Sequence, residues 1–472
     1  MSNRMGFKKN ISYYFVGSVI SKGISFILVP IYISSMSTAE YGIVGSMLVI
    51  INVLALFISL GMERSIYRLY HDYGDEEKKK EFLGSVNFFI FIFGTFILLL
   101  LFIFHDPISK IYRSIPFSPY FALAFFIAYT SIFCVVPKIY LQVVEKANIF
   151  MIVSVCQTII NAFWILFFTV YRKDAAQGYL KGCLIANMCT IPFFLWFQFR
   201  VFKPILKKEY ILPTLKFCLP MLPALLSGWI ISMSSQIFIE NNFSTSEVAI
   251  YSLSLKIVSL VSIIFAAFFT AYTPIFYKLA NDDNQMESKN YLKKVQNSII
   301  LISIIVASSI AVFSKDILVL FFPHDYYASL DIIGILVLGT IICQVNGFLN
   351  LSCYQNKKTA VIMWITLASA AITIVCNYFL VPRFSVYGAA ITYAISSCFL
   401  FFITYIYAKK QYYVPFKWGL IIVSFVILIS LFFVNKLFLP VSYFVTIIKT
   451  ILYLIVVYIC YKRYKRLLLE NA

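Results

Sequence analysis

Acidic residues are missing from the places where a buried one would matter most. The chain holds 20 Asp and Glu among 472 residues, and none lies midway along an apolar run. An exporter of organic cations, or a carrier driven by a buried carboxylate relay, ordinarily keeps such a group inside its helices. Cysteine occurs ten times but never as C-x-x-C, which leaves the reading of free cysteines packed as small hydrophobes. The three histidines, His71, His105 and His324, lie far apart without partners at metal-site spacing, so neither a metal nor any other cofactor is expected. Long polar loops are also lacking. The longest connections on one side, Asp106 to Ser118 and Ser314 to Ser329, are too short for a globular domain and carry no nucleophile or acid pair. That argues against a membrane polysaccharide polymerase or ligase.

What the chain does have is hydrophobicity. Apolar residues make up 61% and charged residues 12%, with mean hydropathy +0.88, against roughly 45–50% and 25% in a soluble domain. Apolar runs long enough to span a bilayer recur throughout, so the fold class is an all-α polytopic membrane protein. The pattern predicts fourteen spans, at about 10–34, 39–66, 83–105, 119–140, 147–170, 177–199, 215–239, 247–276, 292–313, 330–353, 359–381, 386–408, 418–435 and 443–461. The first run is too long for a signal-peptide core and has no small-residue cleavage site, so it reads as an uncleaved span.

The net charge of +19 invites a nucleic-acid reading, and its distribution dismisses it. With these spans, 25 of the 39 Lys and Arg fall in one set of loops and tails, among them Lys78 to Lys80, Arg200, Lys203, Lys207, Lys208 and the tail from Lys462. Seven lie in the alternating set, and seven lie within spans or at their edges. This is the positive-inside bias, and it predicts cytoplasmic termini.

An internal repeat divides the chain. Ser37-Thr38-Ala39-Glu40 precedes the second span, and Ser244-Thr245-Ser246-Glu247 precedes the eighth, 207 residues later. Asp106 and Asp316, and Gly178 and Gly388, are each 210 apart; Gln142 and Gln355 are 213 apart. Two six-helix lobes, 1–205 and 206–410, follow, related by a pseudo-twofold along the membrane normal with a cavity between them. Residues 411–472 add two helices and a basic tail. A polar bridge at Leu206 to Leu215 marks the lobe boundary. Both S-T-x-E elements read as helix capping boxes rather than as gates.

Positive charge inside the spans is the feature to explain. A charge at the bilayer centre costs roughly 2.5–3.5 kcal/mol on insertion scales, so it normally faces protein or water. Lys22 stands midway along the first span and Lys256 well inside the eighth. Arg64 and Arg68, four apart, share one helix face at the end of the second span. They read either as an interfacial anchor or as a phosphate clamp at the mouth of a cavity. Lys138 reads as an anchor, and Lys181, Lys216 and Lys449 as snorkelling side chains. An interior of this sign suits an anionic substrate.

At Ser37-Thr38-Ala39-Glu40-Tyr41-Gly42 and Leu60-Gly61-Met62-Glu63-Arg64-Ser65-Ile66-Tyr67-Arg68 the chain resembles the polysaccharide-export branch of the multidrug/oligosaccharidyl-lipid/polysaccharide exporter superfamily, and within it the O-antigen flippases of the Wzx type. The resemblance implies a non-enzymatic flippase in the bacterial inner (cytoplasmic) membrane. Its substrate would be an undecaprenyl-pyrophosphate-linked oligosaccharide, moved from the inner to the outer leaflet by alternating access. It implies phosphate-binding roles for Lys22, Arg64 and Lys256, with lysine at two positions where some relatives carry arginine. It also implies polysaccharide polymerase and chain-length machinery as partners. Fourteen spans, where twelve are common in the O-antigen branch, admit a capsule, teichuronic-type or lipid II flippase. A drug or cation exporter of the same fold, or a polymerase, is the alternative.

Overall fold

The computed structural model describes residues 2–280, 284–356 and 358–419 together with eleven positions between 422 and 454. Among them the chain is helical, with no strand. In order the helices are α1 (Ser2–Ile27), α2 (Val29–Ser34), α3 (Thr38–Ser59), α4 (Glu63–Leu69), α5 (Glu76–Ile103), α6 (His105–Ser109), α7 (Ala122–Val143) and α8 (Ala147–Leu166). They continue with α9 (Ala175–Val201), α10 (Lys208–Cys218), α11 (Leu222–Asn242), α12 (Thr245–Ala280), α13 (Gln285–Phe321), α14 (Ser329–Gln355) and α15 (Thr359–Ala408).

Eleven stretches of the described residues are long and apolar enough to cross a membrane. One of them folds back on itself. The 50 residues of α15 would reach about 75 Å as one helix, against a hydrocarbon core of about 30 Å. The helix breaks at Ser385 (φ 47°, ψ −128°). Ser369 Oγ donates to the Ser396 carbonyl at 3.0 Å, and Thr373 Oγ1 to Ser396 Oγ at 2.8 Å, which closes the two arms as a hairpin. The described passes therefore match the first twelve expected spans. The last two of the fourteen expected spans, 418–435 and 443–461, lie largely outside the described residues.

The chain forms two compact units, 1–249 and 250–472. In the first, α7 is central and packs on α3, α5, α8 and α9. Its residues Ala124, Phe125, Ala128, Ile132 and Val136 are buried at helical spacing. Polar side chains join the helices: Asn87 Nδ2 donates to Gln198 Oε1 at 3.0 Å, and Gln198 Nε2 to the Phe133 carbonyl at 2.7 Å. The polar bridge at Leu206 to Leu215 contains most of helix α10. It buries Tyr210, Ile211, Thr214 and Cys218 and packs on α4 and α5. Its entry is tied down by Glu81, which accepts from Lys207 Nζ at 2.6 Å and from Tyr210 Oη at 3.0 Å. The hydrogen bond that Lys207 gives Glu81, and the one that Lys203 gives Glu77, raise the pKa of each lysine above its ordinary value.

Both S-T-x-E elements cap helices as expected. Ser37 Oγ accepts from Glu40 N at 3.3 Å while Glu40 Oε2 accepts from Ser37 N at 2.7 Å. Ser244 Oγ accepts from Glu247 N at 3.3 Å. The two capped ends also meet. A Cβ on Gly42 would lie 1.7 Å from the Thr245 carbonyl oxygen, so the first turn of α3 can approach α12 only because residue 42 has no side chain.

In the second unit α12 and α14 run side by side in the same direction. Ser329 Oγ bonds the Ile250 carbonyl, Gln344 bonds Ser262, and Phe348 meets the rings of Phe265 and Phe269, at offsets that stay near 80 residues. Lys449 does not snorkel. It is buried, and its ammonium lies 2.9 Å from Asp316 Oδ2, while Asp316 Oδ1 accepts from Thr446 Oγ1 at 2.6 Å. Tyr453 Oη lies 2.8 Å from Ser308 Oγ and 2.9 Å from Ser309 Oγ on α13. The described positions from Thr446 to Tyr453 are thus fastened to α13 by polar contacts.

Two outcomes follow from this packing. Gly42→Val forces two backbones apart and lowers stability by roughly 1–3 kcal/mol or more, read as a fall in the detergent melting midpoint, whereas Gly23→Ala, inside α1 with open space at its Cβ, leaves the midpoint unchanged or slightly raised. Asp316→Leu or Lys449→Met alone strands a buried charge and costs about 3–5 kcal/mol, while the double variant regains most of the loss. Additive losses in that cycle would show that the pair is not coupled.

Candidate functional site

The Gly61 to Arg68 segment owes its position to a sharp reversal. Leu60 caps α3 in the left-handed region (φ 52°), and Gly61 follows at φ 65°. Two consecutive left-handed residues end the helix, and glycine takes the second without a Cβ penalty. Beyond the turn, Met62, Ile66 and Tyr70 enter the core of the first unit and hold α4 against it. Cys218 on α10 donates its thiol to the Gly61 carbonyl at 3.4 Å. The opposite face presents Arg64, Tyr67 and Arg68, all exposed.

These three side chains differ in their engagement. Arg68 Nη1 reaches both oxygens of Asp72, at 2.9 and 3.0 Å, in an exposed i,i+4 pair. Such a pair is worth only about 0–1 kcal/mol and exchanges readily for another anion. Tyr67 Oη is hydrogen-bonded to Gln142 Oε1 at the end of α7. Arg64 makes no ion pair among the described residues. Beside it Glu63 is half-buried, and its Oε2 is buried without a hydrogen-bond partner. The sequence did not single out this orphan carboxylate oxygen.

Lys22 lies on α1, which packs chiefly on α8. Gly17 lies against Met151, and α2 further along touches the Phe167–Tyr171 turn, so the two helices run in parallel with a near-constant offset. That register brings Lys22 level with Cys156 and Gln157. The lysine is exposed and has no acid within ion-pair distance among the described residues. Ser21 Oγ and Gln157 Oε1, at the same level, are buried without hydrogen-bond partners.

Lys256 lies in the second unit, on the stretch of α12 between the contacts at Ile250 and Ser262. It is half-buried and has no ion pair among the described residues. On the neighbouring α14, Gln344 Oε1, Asn346 Oδ1 and Asn350 Oδ1 are buried and unpartnered. Unsatisfied acceptors are costly in a protein interior. Lys22, Arg64 and Arg68 thus belong to the first unit and Lys256 to the second.

Of the other basic groups in the spans, Lys138 on α7 and Lys216 on α10 make no ion pair among the described residues, and two have acids. Lys181, read as snorkelling, lies 3.3 Å from Asp174 Oδ2, and Lys449 is held by Asp316. Glu240, near the end of α11, is a further polar centre. It is buried on α11 and accepts from Arg113 N at 3.1 Å, from Ser114 N at 2.9 Å and from Ser114 Oγ. Asn241 donates to the Ile111 carbonyl at 2.7 Å, and Tyr112 Oη to the Ser46 carbonyl at 3.2 Å. The connection between α6 and α7 is therefore pinned to α11 and α3. No group of His, Cys, Asp or Glu able to hold a metal occurs among the described residues.

The family model described as polysaccharide biosynthesis protein matches residues 7–280, and the MatE model matches residues 220–379. The Lsg locus putative protein 1 of Haemophilus influenzae is 24% identical over 283 residues, which take in 57% of this chain and 66% of that protein's length. Among solved structures, the lipid II flippase MurJ in an inward closed conformation superposes with a TM-score of 0.68 over 99% of both chains, at 14% identity. The MATE transporter VcmN of Vibrio cholerae superposes at 0.60 over 87% of this chain and 98% of its own, also at 14% identity. At such identities the likeness establishes the fold. The family and these structural neighbours are transporters and flippases, not enzymes. The chain is a multi-pass membrane protein, and it belongs to the polysaccharide biosynthesis protein family of the multidrug/oligosaccharidyl-lipid/polysaccharide exporter superfamily.

Proposed function

We propose that this protein flips a lipid-linked oligosaccharide pyrophosphate, an O-antigen or similar surface-polysaccharide unit, from the inner to the outer leaflet of the bacterial cytoplasmic membrane by alternating access. Lys22, Arg64 and Lys256 meet the pyrophosphate, and Arg68 joins them by exchanging Asp72 for phosphate. The observation that carries this reading is the contrast among the basic groups. Lys181 and Lys449 are matched by acids, while Lys22, Lys256 and Arg64 make no ion pair among the described residues; Lys138 and Lys216 are unpaired too but lie toward the ends of their passes, whereas Lys22 and Lys256 are set deeper. A cation kept in a membrane helix without a counter-ion is a binding group awaiting an anion. The lipid II flippase MurJ, whose name states a lipid-linked substrate, supports the same class of cargo. Polysaccharide polymerase and chain-length proteins would be its neighbours in the pathway.

A drug or cation exporter is the second reading, favoured by the MatE match over residues 220–379. It needs a free carboxylate at depth. Asp316 and Glu240 are both already occupied, and the unpartnered Glu63 lies past the end of α3 rather than midway along a pass.

Removing one charge-assisted contact to phosphate costs roughly 1.5–3 kcal/mol, or about 10- to 100-fold in rate. The variants Lys22→Ala, Arg64→Ala and Lys256→Ala, at wild-type membrane levels, are therefore expected to slow surface glycan export by that factor. Single lipid-linked units should accumulate on the inner leaflet. Lys22→Arg and Lys256→Arg should retain most of the activity. Wild-type export by the Lys22→Ala/Lys256→Ala double variant would end the site assignment. Drug resistance conferred on a sensitive strain, with no effect on glycan, would favour the exporter.

A further inference from the structure

The first unit carries an open cavity of about 390 Å³ walled by α5, α7 and α9, within the range of roughly 300–1,000 Å³ that small ligands occupy. None of these helices bears Lys22, Arg64 or Lys256. The walls are apolar, with Phe88, Phe91, Phe133, Leu195 and Phe199 prominent, and Phe88, Phe91 and Phe199 are exposed. The polar pair in the lining, Asn87 and Gln198, is spent on itself and on the Phe133 carbonyl. An occupant of the groove is therefore a hydrocarbon chain.

One end of the groove is charged. Pro204 lines it, and the preceding residue Lys203 is fixed there by its own N–H, which donates to the Lys80 carbonyl at 3.2 Å. Lys80 lies one turn before the groove residue Gly84, and Arg200 follows Phe199. The Arg200 guanidinium rests 4.8 Å over the Trp196 ring, an exposed tryptophan of the kind that marks a membrane interface. The acids facing this end are Glu77, Glu81 and Glu209, the last 3.8 Å from Lys207. Lys203 lies 2.6 Å from Glu77 and 3.7 Å from Glu81, and Lys207 2.6 Å from Glu81. Those two lysines offset two of the three acids, and Lys80 and Arg200, both exposed and without an ion pair among the described residues, outweigh the third. The mouth is therefore net positive, at the end that the loop charges assign to the cytoplasm.

We infer that this groove is a binding site for an anionic phospholipid of the inner leaflet, with an acyl chain between α5, α7 and α9 and the phosphate at Lys80 and Arg200. The charge of the mouth favours this occupant over a zwitterionic lipid.

The test uses the full-length protein in phosphatidylcholine vesicles doped with a photoreactive acyl-chain probe, either phosphatidylglycerol or phosphatidylcholine, with adducts mapped by mass spectrometry. The phosphatidylglycerol probe is expected to label residues 84–91 and 195–204 about fivefold more than the phosphatidylcholine probe. The Lys80→Gln/Arg200→Gln variant should bring it down to the phosphatidylcholine level, and Leu195→Trp, which fills the groove, should reduce labelling by both. Equal labelling by the two probes, full phosphatidylglycerol labelling in the charge variant, or displacement of the label by an equal amount of undecaprenyl phosphate would overturn the assignment. The last result would give the groove to the carrier lipid. Lys80 and Arg200 take no part in the proposed pyrophosphate site, so glycan export by the charge variant reports separately on the flippase reading.

Discussion

Hydrocarbon removes the usual reason for helices to adhere. An apolar side chain gains little by leaving lipid for protein, so association rests on close approach and on polar groups that find each other. This chain obeys that constraint throughout its described residues. Gly42 admits the Thr245 carbonyl, Gln198 bridges α5 and α7 from α9, and Ser369, Thr373 and Ser396 close the α15 hairpin. Where a charge is buried, as at Asp316, its partner is supplied from 133 residues further along the chain.

The charges fall into two populations by the same logic. One is structural: Lys449 with Asp316, Lys181 with Asp174, and Glu240 with the amides of Arg113 and Ser114. The other carries its charge without a fixed counter-ion.

The sequence made some features plain because they are local. Hydropathy marks each pass up to Ala408. The capping boxes were readable because Ser37 and Glu40 are three residues apart, and the offset of 207 to Ser244 exposed their kinship. The helicity of α10 was not legible because its polar face and Pro213 look like a bridge, whereas Tyr210, Ile211 and Thr214 form a buried stripe. Lys449 was misread because snorkelling depends on one residue and its span, while an ion pair depends on two. Nothing local couples 449 to 316. The candidate site was legible only as charge in the wrong solvent. The orphan oxygens of Glu63, Gln157 and Gln344 emerged only with the packing.

The seat of Gly42 against Thr245 has a temporal side. The two residues are separated by 203 positions of chain. At synthesis rates of about 5–20 residues per second, the start of α3 waits about 10–40 s for the segment that covers it. Residues 111, 113 and 114 wait in the same way for Glu240 and Asn241. During that interval the early helices are in the bilayer with their tightest seams unfilled. Membrane insertion and assembly of the first unit are therefore separate events, and the second is completed by the arrival of the eighth pass.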